Sequence, residues 1–151
     1  MRCLLPLLGL CLGSLATIAQ PAMGQPMLSS TATAMSTVLD LDGEGSAATH
    51  IVKVADITVS TDHSGGLTLM LTASRLTKPQ GSDIAIQITT VGEGAIAPSP
   101  TDFTVPADGT YTYVTSWAGA EQRDVYILYT PNALQDPGDY SATLNIAVVD
   151  N

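Results

Sequence analysis

Apolar and polar residues alternate along several short stretches of this chain. In LTLMLTA, residues 67–73, Leu67, Leu69 and Leu71 share one side and Thr68, Met70 and Thr72 the other. DIAIQITTV at residues 83–91 aligns Ile84, Ile86 and Ile88, and TYTYVTS at 110–116 aligns Tyr111 and Tyr113. A period of two with β-branched and aromatic enrichment predicts strands with one buried face. HIVKVADITVS at 50–60 carries Val52 and Val54 on one parity but Ile57 and Val59 on the other. Changing faces takes an extra residue, so the switch near Ala55 and Asp56 predicts a bulge or two successive short strands. DVYILYT at 124–130 is apolar on both sides, as in a doubly covered central strand, and puts Tyr126 and Tyr129 on opposite faces. DYSATLNIAVV at 139–149 aligns Tyr140, Ala142, Leu144, Ile146 and Val148.

Turn residues separate these runs. DHSGG at 62–66, KPQGSD at 78–83, PADG at 106–109 and TPNALQDPG at 130–138 all carry Gly, Pro, Asn or Asp where chains reverse. Residues 91–102 form a longer loop with two Gly and two Pro. No helical periodicity of useful length is present, although residues 131–135 could make one helical turn. The pattern predicts an all-β fold: an antiparallel immunoglobulin-like sandwich of about seven strands at residues 49–151. Residues 25–48, rich in Ser, Thr, Ala and Gly, read as a flexible leader or a weak edge strand around 35–41.

Residues 1–24 have the form of a secretory signal peptide. Arg2 precedes an apolar run from Leu4 to Ile18, and Ala22 and Gly24 put small residues at a cleavage site before Gln25. The expectation is a secreted protein, periplasmic or at the cell surface, with no membrane span after cleavage. Cys3 and Cys11 both fall in that segment, so the remaining chain has no thiol for a disulfide or a metal. It keeps four basic residues, Lys53, Arg75, Lys78 and Arg123, against all fourteen acidic ones. That balance opposes binding to nucleic acid or anionic lipid.

Near the end of the chain, Asp136-Pro137-Gly138-Asp139-Tyr140-Ser141-Ala142 has the spacing D-x-G-x-Y-x-A. It resembles the tyrosine corner of immunoglobulin-like sandwiches, which implies structural roles for Pro137, Gly138 and Tyr140, the hydroxyl bonding back to upstream backbone. Residues 51–149 also resemble, loosely, secreted bacterial pilin-type subunits of the spore-coat-U and fimbrial kind. The shared parts are a Thr/Val strand, a Gly-rich turn before LTLMLTA and a last strand introduced by Pro-Gly-x-Tyr. The cysteine pair of many such pilins is missing. The resemblance implies a surface role. Such corners precede a penultimate strand, yet only one strand follows here. Either a strand is supplied from elsewhere, with residues 27–41 as a poorly alternating candidate donor, or residues 144–148 close an ordinary sandwich and 31–41 pair within their own chain.

Chemical motifs are sparse. Asp40, Asp42 and Glu44 in DLDGEGS occupy alternate positions of a calcium-loop pattern, but Ile51 stands where a bidentate acid belongs. An acidic surface loop, with at most weak Ca²⁺ binding, is expected. Asp62-His63-Ser64 cannot form a triad, which needs side chains converging from separate segments. No Gly-rich loop leads into a helix to cradle phosphate. The expected function is structural or adhesive and non-catalytic, with self-association or a surface-assembly partner through strand edges. The alternative is a carbohydrate-binding module that uses Trp117, Tyr113 and Arg123 on a glycan.

Overall fold

The computed structural model describes residues 24–37, 39–41 and 47–151. The expected signal peptide, apart from Gly24, lies outside them, as do Asp42 and Glu44. Among the described residues there are seven strands: β1 (Met27–Ala32), β2 (His50–Thr61), β3 (Leu67–Ala73), β4 (Ile86–Gly92), β5 (Tyr111–Val114), β6 (Gly119–Tyr129) and β7 (Leu144–Asp150). They form two antiparallel sheets, ordered β1-β2-β6-β4 and β5-β3-β7. Their facing side chains make one core. The all-β, sandwich-like architecture expected from the alternation is therefore what the chain adopts.

Leu67, Leu69 and Leu71 are at most 1% exposed and meet Ile57, Val59, Ile84, Ile86, Ile88, Val125, Ile127 and Tyr129 from the opposite sheet and its approaches. At roughly 25 cal/mol per Å² of apolar surface, each such side chain contributes about 2 kcal/mol. The parity switch in β2 is a bulge. The register with β6 runs Val52↔Ile127 and Lys53↔Tyr126, then shifts so that Ala55 faces Val125. One extra residue thus keeps Val52 on the core side along with Ile57 and Val59.

Tight turns close the strands where sequence placed them. In DHSGG, Gly66 N–H donates to the His63 carbonyl at 2.9 Å. Gly66 has φ +80°, and a Cβ there would collide with the Thr115 carbonyl, so the position requires glycine. In PADG, Gly109 N–H bonds the Pro106 carbonyl at 3.0 Å. Residues 132–135 make a turn, with Gln135 N–H on the Asn132 carbonyl, and not a helix.

Three expectations shift. The N-terminal edge strand is Met27–Ala32 rather than 35–41, where Ala34–Thr37 form a 3₁₀ turn. All six residues of β1 are exposed, so backbone pairing to β2 defines it and no apolar stripe announced it. Alternation before the last strand starts at Leu144, because Ala142 is exposed. Strand β6 begins earlier, at Gly119, running along the far half of β2.

Candidate functional site

The two sheets are unequal: four strands face three. The short sheet ends at β7, and beside it the core lies open. Leu144, Ile146 and Val148 point inward but are only half-buried, as are Val52 and Val54 on β2. A groove of about 810 Å³ opens there. Ser30 and Ala32 of β1, Val54, Leu76, Leu144 and Ile146 are among its lining residues.

Among the described residues, neither strand that borders the groove has a partner on its outer backbone edge. On β7, Ser74 N–H donates to the Thr143 carbonyl and Asn151 N–H to the Gly66 carbonyl, each alongside the Leu67↔Asp150 register. Antiparallel pairs alternate, so the odd residues of β7 bond to β3. The N–H and C=O of Leu144, Ile146, Val148 and Asp150 then point away from β3, and of these residues Leu144 and Ile146 line the groove. On β1, Thr33 N–H donates to the Val54 carbonyl in continuation of the Ala32↔Ala55 register. By the same alternation Leu28, Ser30 and Ala32 carry their free groups outward.

The segment that introduces β7 is anchored through Tyr140. Tyr140 hydroxyl donates to the Asp136 carbonyl at 3.0 Å and accepts from Gln135 Nε2 at 2.5 Å. Gly138 has φ +133°, a conformation open to glycine, and Lys78 Nζ donates to the Pro137 carbonyl and lies 5.6 Å from the centre of the Tyr140 ring. At the other end of β7, Asn151 Nδ2 donates to the Gly65 and Thr115 carbonyls, at 3.1 and 2.8 Å, and Thr68 hydroxyl donates to Asn151 Oδ1. The strand is held at both ends and open along its side.

The residues expected to bind sugar divide. Tyr113 and Arg123 come together, with the guanidinium carbon 3.5 Å from the ring centre. Arg123 is only 8% exposed and fully engaged. Its Nε donates to Thr90 Oγ1 at 2.8 Å, Nη2 to the Thr90 carbonyl at 3.1 Å and Nη1 to Glu121 Oε1 at 2.7 Å. Tyr113 hydroxyl donates to the same carboxylate at 2.8 Å. Burial, then that bond to Glu121, raises the phenol's pKa above its usual value. The cluster ties β4 and β6 of one sheet to β5 of the other and presents little to a ligand. Trp117 stands apart, 56% exposed in the loop between β5 and β6. Among the described residues no ring contact joins it to either partner.

Of the calcium-loop residues, Asp40 alone is described, and its carbonyl accepts the Tyr129 hydroxyl at 3.1 Å. Among the described residues no three His, Cys, Asp or Glu side chains converge to hold a metal ion. One acidic site is nevertheless built into the outer face of the larger sheet. Asp124 is 3% exposed, accepts Gly94 N–H at 3.3 Å and lies 3.0 Å from Lys53 Nζ, which also meets Asp56 at 2.5 Å. Burial pushes the Asp124 carboxyl up, but the Lys53 ammonium and Gly94 N–H outweigh it and hold the pKa below the usual range. Asp56 first, then Asp124, raises the Lys53 pKa, so that amine stays charged and is no nucleophile.

Among the described residues no helix is long and apolar enough to cross a membrane. No family model matches the chain, and no curated protein matches it in sequence.

Proposed function

We propose that this chain is a non-catalytic structural subunit of a secreted surface assembly, which it joins by accepting an extended segment of a neighbouring protein chain alongside β7. The observation that carries this reading is the open groove, floored by half-buried Leu144 and Ile146 and bordered by two strand edges that are free among the described residues. A single strand laid there would bond to β7 through its backbone and cover the core with alternate apolar side chains. β1, whose Ser30 and Ala32 also line the groove, hinders a second whole sheet edge, which favours a lone strand. The entrant carries apolar residues at i, i+2 and i+4, and little negative charge, given the surplus of acid on this chain. The loose resemblance to pilin-type subunits points the same way. The test is hydrogen exchange on assembled and monomeric protein. The Leu144, Ile146 and Val148 amides should become protected on assembly. A protein that stays monomeric at every concentration and with every secreted partner offered, with those amides always exchanging freely, rules the reading out.

The exposure of Trp117 supports a second reading, glycan binding by a loop aromatic. It is narrower than the sequence implied, since Arg123 and Tyr113 are occupied inside the sandwich. Quenching or a blue shift of the single Trp on titration with oligosaccharides would favour it over strand pairing.

A further inference from the structure

Leu39 and Leu41 line the groove two residues apart, both half-buried against the core. In extended chain that spacing puts two side chains on one face, as in a strand. Between them the Asp40 carbonyl accepts the hydroxyl of fully buried Tyr129 at 3.1 Å. Just upstream, Thr33 bonds the Val54 carbonyl through its N–H at 2.9 Å and the Lys53 carbonyl through its hydroxyl at 2.6 Å. Leu39 and Leu41 therefore supply apolar cover of the kind an entering strand would bring. They do not supply its backbone bonds, since among the described residues β7 remains the edge of its sheet.

We propose that Leu39, Asp40 and Leu41 are a placeholder, which fills part of the groove in the free protein and is displaced when a strand enters. The proposal rests on the reading that the groove takes a strand. A placeholder that meets the apolar demand but not the hydrogen-bonding one protects the open core from unspecific apolar contacts. It yields only to an occupant that satisfies both, so entry becomes slow and selective.

The experiment follows binding of a fluorescent peptide by stopped flow. The probe is KLTLMLTAK, the best-alternating strand of this chain flanked by lysines. The proteins are the wild type, L39S/L41S and Y129F, each checked for its native β-sheet circular dichroism. Y129F keeps the ring and deletes only the hydroxyl held by Asp40, so it serves if the double variant does not fold. The expected result is association about tenfold faster in L39S/L41S and about threefold faster in Y129F, since losing a partly buried Leu or one hydrogen bond changes a rate on that scale. Equal rates in all three proteins overturn the placeholder and leave the strand groove standing. Weaker and slower binding in L39S/L41S also overturns it, by making both leucines part of the binding wall. Binding to none of the three overturns the placeholder together with the groove.

Discussion

Arg123 shares its strand face with Val125, Ile127 and Tyr129, and a charge persists there because every part of the guanidinium is occupied. Removing it strands the Glu121 carboxylate and the Thr90 carbonyl. R123M should lower stability by about 2–4 kcal/mol, read from the urea midpoint. The exposed pair of Arg75 and Asp108, at 2.8 Å, lies in water, so R75A should leave that midpoint unmoved. Asp124 predicts an acid limb. Its folded pKa is depressed, so its contribution is intact well above the unfolded value near 3.8 and is lost as the pH falls through that value to the lower folded one. D124N should be less stable at neutral pH and should flatten the fall in stability below pH 4, measured by urea titration at stepped pH. Sequence made Arg123 conspicuous as a rare cation near aromatic residues. It could not show that the residue points inward, because the apolar run begins only at Asp124 and is apolar on both sides, whereas β6 runs unbroken from Gly119 and puts Arg123 on the face of Val125.

At the scale of elements, alternation located β2, β3, β4 and β7 because each has one face in the core and one outside it, which imprints a period of two. It missed β1, whose residues all lie exposed and which is defined by its backbone pairing to β2. The groove was legible in part. The alternation of Leu144, Ile146 and Val148 was plain, but their half-burial depends on what lies opposite. The parity of β7 yields a paired prediction. Val148 aims its N–H at the free edge, whereas Ala147, in register with Met70, belongs to the residues bonded to β3. Proline removes one donor at either site. V148P should unfold within about 1 kcal/mol of wild type yet fail to join assemblies in sedimentation velocity. A147P should lose about 3 kcal/mol or more.

At the scale of the whole molecule, the two layers of the sandwich differ by one strand among the described residues, and the stability of the isolated chain should reflect that. Three half-buried side chains on β7 and two valines on β2 wait for cover that the fold does not fully supply. Strand count per sheet is a property of pairing between distant segments, which is why no local pattern disclosed it. The imbalance can be tested without knowing a natural partner. A short Gly-Ser linker after Asn151, followed by a strand with apolar residues at alternate positions, can run back antiparallel along β7. Tethering keeps the entropic cost of closing the loop small. Covering the exposed parts of Leu144, Ile146 and Val148 and pairing their free N–H groups should stabilise the fold by about 2–4 kcal/mol. For a domain of this size that raises the thermal midpoint by about 10 °C. A control extension of the same composition, scrambled so that its apolar residues no longer alternate, should give little of that gain. If both extensions leave the midpoint and the binding of an apolar dye unchanged, Leu39 and Leu41 already close the core, and β7 is an ordinary last strand.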